Sequence, residues 1–429
     1  MASLHHWLTV LRPWLETGPQ APAFLHLAHK VVALLGYLLA GRLVMQHTRG
    51  AWREIWLVVL NLGGVYAFLF HGQHHHYVGM FSLYLALVIL QFIVLRLFAE
   101  QRGWRPWIAF FTPIAVLAAI RYVPGSFFLA VGRAAGWDWT DVPALIGVSY
   151  LTFRCSRLVL EIRNGAVKRP AFLEYLNFAF FLPTMSVGPI NNYANYRRGF
   201  EAPYAVPVGR AALRVLVGLV KFEILGGLCS QLAYSALLLD DHPHRWLDLP
   251  VAMVFYYLFL YCNFSGFCDL AIGAAAFIGI PVPENFENPL AARNMREFWN
   301  RWHITLSAWM RDVVFSPLSK YLVRIMGVSA ANHAIALTIF VVFLLIGIWH
   351  GVGWNYALFG LAQAVGVTGV HYYTIFLKRR LGRDGFKAYN ENRLIHALAV
   401  AITFCYYAAT LFLFANSLSQ MREILSTLR

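Results

Sequence analysis

The sequence predicts an all-α polytopic membrane protein with about ten or eleven transmembrane helices, folded as a single integral-membrane domain over residues 1–429. Hydrophobic residues make up 59% of the chain and charged residues only 13%, whereas soluble proteins carry about 25% charged residues. The mean hydropathy is +0.57. Apolar runs close to the ~20 residues that cross a bilayer recur along the chain. Composition therefore excludes a soluble fold.

Ten apolar runs are long enough to predict membrane spans, and they follow one another without an internal repeat. They cover residues 24–45, 54–71, 77–98, 106–123, 142–160, 209–231, 250–280, 332–349, 354–377 and 394–416. A further run at 172–190 is interrupted by Pro183, Gly188 and Pro189. We expect it to form a re-entrant segment, which lipid tolerates only where protein covers the backbone. The amphipathic segment 281–331 is expected to behave in the same way.

The distribution of charge predicts an orientation rather than a nucleic-acid surface. The net charge is +15, but the Lys and Arg residues lie in short clusters between apolar runs, as at 378–387. Loop 232–249 is acidic instead. Because basic loops stay inside, we expect a multi-pass membrane protein with both termini outside and the basic loops in the cytoplasm. The five cysteines show no metal-ligand spacing, so neither a metal site nor a disulfide is expected.

The most polar stretch of the chain runs from Glu297 to Asp312. It predicts one helix over 295–312, with Asn294 as N-cap and Glu297 completing a capping box. On a period of 3.6 residues, three polar side chains share the face that we expect to line a cavity. They are Asn300, His303 and Ser307. The tryptophans of the stretch lie on the other face, where they pack or meet lipid headgroups.

Charged residues near this stretch have two interpretations. Arg301, Arg311 and Asp312 favour ion pairs within the protein, although an arginine could also hold an anionic substrate group. In the apolar run upstream, Ser265 and Asp269 share a helix face. A carboxylate in a membrane span is unfavourable without a partner. We expect Asp269 to pair with an arginine of the polar stretch, and a substrate contact is the alternative.

A second histidine motif follows the apolar run 332–349 and contains Trp349, His350 and Gly351. Burial disfavours a charged imidazole, so His350 is expected to be neutral and able to accept a hydroxyl proton. A lone histidine in an apolar segment is more often structural. The presence of His303 in another polar motif favours catalysis by the two histidines together. Gly351 permits a tight turn and the close approach of another group.

These motifs resemble those of the membrane-bound O-acyltransferase family, in the bacterial branch that includes the D-alanyl transfer protein of teichoic acid and the alginate O-acetyltransferase. They are Phe264–Gly273, Asn285–Pro289, Glu297–Asp312 and Gly347–Gly351, within a motif-bearing catalytic region at 260–353. The resemblance implies a multi-pass location in a bacterial cytoplasmic (inner) membrane, with helices ringing a central cavity open to both membrane faces. It also implies that His350 is the catalytic histidine. Gln363 and Ala364 replace the usual His-Gly pair, which leaves the role of that position open.

The resemblance implies transfer of an acyl group, acetyl or an aminoacyl such as D-alanyl, from a cytoplasmic-side thioester to a hydroxyl of an extracytoplasmic cell-surface glycan. The co-substrate would be an acyl thioester on acyl-carrier-protein phosphopantetheine or on coenzyme A, with no tightly bound cofactor. Expected partners are membrane lipids, the donor or carrier protein, and the glycopolymer acceptor or periplasmic partner proteins, but no nucleic acid. The alternatives are a lipid or protein O-acyltransferase, a transporter or flippase of envelope precursors, and a non-catalytic scaffold.

Overall fold

The computed structural model describes residues 21–70, 76–123, 126, 147–203, 206–239 and 245–428, with side chains from residue 32 except 69–77 and 80. Within these ranges the chain is helical, and its only extended pairing is an isolated bridge between Phe286 and Trp302. The prediction of an all-α polytopic fold is confirmed. Residues 142–146 of one predicted span and 240–244 of the acidic loop lie outside the described residues.

Two compact units make up the chain. The amino-terminal unit comprises residues 19–218 with 267–283. Its helices are α1 (Ala21–His47), α2 (Gly50–Val65), α3 (His76–Phe98), α4 (Pro106–Tyr122), α5 (Val148–Arg163), α6 (Phe172–Ala179), α7 (Tyr193–Glu201) and α8 (Val208–Leu219). A π-helical turn, Tyr66–Phe70, extends α2.

The carboxy-terminal unit includes residues 219–266 and 284–429. Its helices are α9 (Gly226–Ser230), α10 (Tyr234–Leu237), α11 (Asp248–Ile278), α12 (Met295–Arg301), α13 (Ile304–Met310), α14 (Ser316–Met326), α15 (Ala331–His350), α16 (Trp354–Glu391), α17 (Arg393–Ala415) and α18 (Leu418–Thr427). The last residues of α11, from 267 onward, belong to the amino-terminal unit. That residues 1–429 act as a single integral-membrane domain stays a prediction.

Every predicted span contains helix in its described part, but the helices differ in how well they suit a bilayer. By length and hydropathy, four helical stretches of the described chain could cross a membrane. They are Phe81–Phe98, Asp248–Ile278, Val328–His350 and Arg393–Ala415. Two shorter apolar helices are Val32–His47 and Pro106–Tyr122. Helix α5 differs because its 16 residues include Arg154, Arg157 and Glu161.

The predicted re-entrant segment 172–190 is broken, as its prolines and glycine indicate. Helix α6 ends at Ala179, and a 3₁₀ turn follows at Leu182–Thr184. The carbonyls left free at this end are satisfied by Arg154 of α5, which is 1% exposed. Its guanidinium donates to the carbonyls of Phe178, Ala179 and Thr184 and to the Thr184 hydroxyl. A buried cation thus stabilises irregular backbone that water does not reach.

The predicted single helix over 295–312 is wrong at its centre. Helix α12 ends at Arg301 and α13 begins at Ile304, with His303 between them at φ 45° and ψ 51°. A neighbouring strand-like segment takes the hydrogen bonds that a continuous helix would make. The Glu287 amide donates to the Arg301 carbonyl at 2.9 Å, and the Ile304 amide donates to the Asn285 carbonyl at 3.0 Å. The predicted shared face of Asn300, His303 and Ser307 therefore does not form.

The tryptophans of this stretch pack inside the carboxy-terminal unit. Trp299, Trp302 and Trp309 are buried. Trp302 lies 5.5 Å from the ring of Tyr407 in α17, and Phe298 lies 4.0 Å from the same ring. These contacts between aromatic rings fix α12 against α17 and so set the position of the break at His303.

Candidate functional site

His303 is held by Asn285, a residue 18 positions earlier in the chain. The His303 side chain is 4% exposed. Its Nδ1 lies 3.1 Å from Asn285 Oδ1. The same oxygen accepts the Thr305 amide at 3.1 Å and the Thr305 hydroxyl at 2.9 Å. A non-glycine residue at positive φ is strained. The hydrogen bonds of the Asn285 side chain offset the strain of the turn at His303 and orient the imidazole.

These contacts determine which nitrogen of His303 carries the proton. A backbone amide can only donate, so the Asn285 atom that receives the Thr305 amide must be the oxygen. That oxygen can only accept, so His303 Nδ1 must carry the hydrogen. In the neutral ring Nε2 is then the nitrogen with the lone pair. His303 lies between the apolar helices α11 and α15, and burial, with a smaller contribution from His350, lowers its pKa to about 3. The imidazole is therefore neutral near pH 7.

His350 is the last residue of α15 and is half-buried. Its ring meets Phe414 edge-on at a centroid distance of 4.9 Å and lies 6.3 Å from Phe359. The following Gly351 has no room for a side chain, because a Cβ there would overlap the ring of Tyr356. The expectation of close approach at this glycine is confirmed. Aromatic packing on one side of the His350 ring fixes its orientation, and its partial exposure leaves it accessible to a substrate.

Trp349 lies close to both histidines. Its ring is 6.4 Å from that of His303 and 4.5 Å from that of His350. Phe264 of α11 also makes an edge-on contact with His303, at 4.8 Å. The structure thus brings His303, Trp349 and His350 together within one unit. Two imidazoles beside one indole offer nitrogen atoms that could bind a hydroxyl group or accept its proton during a reaction.

The other predicted site residues are distributed more widely. Ser265 is 3% exposed and follows Phe264 directly in α11. The Ser307 hydroxyl donates to the Trp302 carbonyl at 3.5 Å. Asn300 is exposed. No group of three histidine, cysteine, aspartate or glutamate side chains in the described chain could hold a metal ion.

The charged residues form ion pairs. Arg301 contacts Glu297 at 2.6 Å, one helical turn away. Arg311 lies 3.7 Å from its exposed neighbour Asp312.

Asp269 contacts Arg214 of α8 at 3.1 Å within the amino-terminal unit. The expected pairing with an arginine of the polar stretch is replaced by this contact. Arg214 is 55 positions away, so no local pattern could have identified it.

Two residues that matter to this geometry were not predicted as site residues. Asn285 is the first residue of the Asn285–Pro289 motif. Its position in that motif, shortly before the polar stretch, was the sequence signal that could have identified it as a site residue. Gln363 is fully buried. It accepts the Trp299 indole N–H at 3.2 Å and donates to the Thr410 hydroxyl at 2.7 Å. Gln363 therefore links α12, α16 and α17 through hydrogen bonds. It occupies the position at which the sequence departs from the family pattern.

Comparison with known proteins gives consistent matches. A family model described as the membrane-bound O-acyltransferase family matches residues 149–409, more than half of the chain. A teichoic acid D-alanyltransferase of Streptococcus thermophilus is 30% identical over 291 residues, covering 64% of this chain and 69% of that relative. A peptidoglycan O-acetyltransferase of Helicobacter pylori is 29% identical over 223 residues, covering 46% and 37%. A probable alginate O-acetylase of Pseudomonas aeruginosa is 28% identical over 230 residues, covering 52% and 41%.

Proposed function

Since the chain belongs to the membrane-bound O-acyltransferase family and is an acyltransferase, we propose that it moves an acyl group from a cytoplasmic-side thioester to a hydroxyl of an extracytoplasmic cell-surface glycan. The observation that carries this proposal is the pair of imidazoles, His303 and His350, that both lie close to Trp349. The protein is a multi-pass membrane protein, which we place in the cytoplasmic membrane of a bacterium.

His350 is the general base of the proposed reaction. It removes the proton from the acceptor hydroxyl while the oxygen attacks the thioester carbonyl. The new C–O bond forms, the C–S bond breaks, and the departing thiolate takes the proton back from the imidazolium. A positioned base of this kind contributes about 10²–10⁴-fold to the rate. The half-buried position of His350 suits this role, because the ring is fixed by Phe414 and still reachable.

His303 orients the acceptor in this scheme. Its Nδ1 hydrogen is committed to Asn285, so its Nε2 offers a lone pair to a hydroxyl hydrogen. Stabilising an oxyanion would instead require a hydrogen on Nε2, and the low pKa of about 3 opposes that form at pH 7. The tautomer therefore favours substrate orientation over oxyanion binding. Holding the two reactants in line supplies a further part of the rate enhancement.

The names of the relatives support the proposed donor and acceptor classes. Of the three relatives described above, one is a D-alanyltransferase, and the others are an O-acetyltransferase and a probable O-acetylase. We propose an acetyl or D-alanyl thioester, carried by phosphopantetheine or coenzyme A, as co-substrate. The proposed partners are the donor or carrier protein, membrane lipids, and the glycopolymer or periplasmic proteins that present it. The main alternative acceptors are lipids and proteins.

The proposal is tested by labelled-acyl incorporation. Cells that produce the protein receive either labelled acetate or labelled D-alanine, and base-labile label is counted in the glycan, lipid and protein fractions. We expect label in the glycan fraction, lost by about 10²–10⁴-fold in His350→Ala at matched protein levels. His333→Ala is the matched control, because His333 lies near the start of the same helix and its partner is Tyr372.

Two results would contradict the proposal. Retention of most incorporation in His350→Ala would remove that residue from the base role. Label that depends on His350 but appears only in the lipid or protein fraction would show that the acceptor is a lipid or a protein and not a glycan.

A further inference from the structure

A cavity separate from the two histidines lies between α12, α16 and α17. Its volume is about 610 Å³, and Gly369 lies on its wall. We call it the Gly369 pocket. This volume falls in the range of ligand-binding pockets, roughly 300–1,000 Å³. A Cβ at Gly369 would meet no atom within 4 Å, so this glycine faces open space.

The pocket is closed on one side by a reversal of α16. Gly382 has φ 66° and ψ −169°, a conformation that essentially only glycine adopts. The hydroxyls of Tyr373 and Tyr389 lie 3.1 Å apart, whereas 16 residues of straight helix would separate them by about 24 Å. Residues 383–391 therefore fold back over the preceding turns, and Phe386 and Tyr389 line the cavity.

The interior of the pocket is apolar although several polar residues line it. The Thr374 and Thr403 hydroxyls each donate to the carbonyl one turn earlier in their own helix, at 2.7 Å. The Tyr406 hydroxyl donates to the Ala362 carbonyl at 2.6 Å. These three hydroxyls are therefore satisfied within the protein and do not require a polar ligand. Hydrocarbon is the chemistry that suits such a lining.

The pocket opens through apolar residues that are themselves exposed. Val365 of α16 and Ile402 of α17 both line it, and they are 55% and 68% exposed. Large exposed apolar side chains on membrane helices face hydrocarbon rather than water. An acyl chain can therefore enter sideways from the bilayer.

The rim of the pocket carries cationic side chains. Arg293, which also pairs with Glu297 at 3.1 Å, lines it, and the Lys378 ammonium lies 5.5 Å from the ring centre of Phe386. Between positions 378 and 396 the chain carries six Lys or Arg residues against Asp384 and Glu391. Basic pockets between membrane helices bind anionic lipid headgroups.

We propose that the Gly369 pocket binds an anionic phospholipid, with one acyl chain between α16 and α17 and the phosphate at the cationic rim. The site goes beyond the proposed acyl transfer. Its lining contains neither His303 nor His350, so the lipid is a bound regulator or structural ligand and not the acyl acceptor.

The test uses a phosphatidylglycerol that carries a diazirine in one acyl chain, incorporated with the full-length protein into phosphatidylcholine vesicles. After irradiation the labelled peptides are mapped by mass spectrometry. We expect label in residues 365–377 and 395–406, displaced by unlabelled phosphatidylglycerol but not by added phosphatidylcholine. Gly369→Leu fills the open space and should reduce this label about tenfold, the effect of losing burial of roughly two methylene groups.

Gly63→Leu is the matched control, because Gly63 lies in helix α2 and a Cβ there also meets no atom within 4 Å. Undiminished label in Gly369→Leu would overturn the proposal, and so would equal competition by phosphatidylcholine. Displacement by phosphopantetheine but not by phosphatidylglycerol would assign the pocket to the acyl donor instead. Because the readout is binding, it is independent of whether acyl transfer is detected.

Discussion

Asn285 shows how one side chain can set the chemistry of another. Its amide oxygen receives three hydrogen bonds, from His303 and from the amide and hydroxyl of Thr305. The Thr305 amide identifies the acceptor atom, and the acceptor identifies the tautomer of His303. In the proposed reaction Asn285 is thus a positioning residue, since it would act through His303.

The role of Asn285 can be separated from a purely structural one. Removing a hydrogen-bond partner of a buried group costs about 1–3 kcal/mol, so we expect Asn285→Ala to lower the rate of acyl transfer by roughly 10–100-fold. Asn61→Ala is the control, because Asn61 is equally buried and bonded to Tyr37 in the amino-terminal unit. If both variants lose rate in proportion to their loss of Tm, Asn285 has no special role.

Asn285→Asp gives a readout that packing alone would not change. The carboxylate still accepts the Nδ1 hydrogen, so we expect much of the activity to remain. Its negative charge favours the imidazolium form and so raises the pKa of His303 from its low value of about 3. The pH at which the His303 imidazole titrates, followed by NMR of protein labelled with ¹⁵N-histidine, should therefore move upward. A His303 titration that stays in place would contradict the inferred contact.

At the scale of elements, breaks in helices position the candidate site residues and the lining of the Gly369 pocket. The break between α12 and α13 places His303 at positive φ, and the interruption after α6 is held by Arg154. The reversal of α16 at Gly382 forms a wall of the Gly369 pocket. In each case the apolar pattern predicts helix nearby, and a specific contact or glycine ends it.

Gly382 gives a direct test of the reversal. A residue with a Cβ is strained at this backbone conformation by about 1–3 kcal/mol, so we expect Gly382→Ala to straighten or loosen α16 and to weaken capture of the phosphatidylglycerol probe. The measurement is probe labelling together with thermal unfolding. Gly385→Ala is the comparison, because Gly385 lies in the returning arm and its φ is not positive. Equal behaviour of the two variants would contradict the stated role of Gly382.

At the scale of the whole molecule, orientation is the property that charge predicts. The short loop after α3 is rich in arginine, and it contributes Arg102 and Arg105 beside Arg96 and Arg169 to a polar surface cleft of about 820 Å³. Short loops rich in Lys and Arg remain in the cytoplasm. The loop before α11 contains Trp246, which is 60% exposed, and we expect it on the outer side.

This orientation can be measured with single cysteines introduced into a cysteine-free variant. A membrane-impermeant maleimide added to intact cells should label Trp246→Cys, while Gln101→Cys should react only after permeabilisation. Both positions are exposed, so a difference in labelling reports sidedness rather than burial. The reverse pattern would invert the proposed topology and place the donor on the wrong face.

The sequence by itself determined the all-α membrane class, most helix positions and the family motifs. It could do so because a chain in lipid must satisfy its backbone within each segment, so apolar length translates directly into helix. The sequence also predicted the two histidines as candidate site residues, because polar residues in such a chain are rare and unfavourable unless they have a function.

Only the tertiary structure decided how these residues meet. The period of an apolar pattern reflects hydrogen bonds between residues four positions apart. By contrast, His303 is oriented by Asn285, 18 positions away, and Asp269 is paired with Arg214, 55 positions away. Such bonds replace local ones when burial removes water as the competing partner. The helix therefore breaks at His303, and that break gives the imidazole its tautomer.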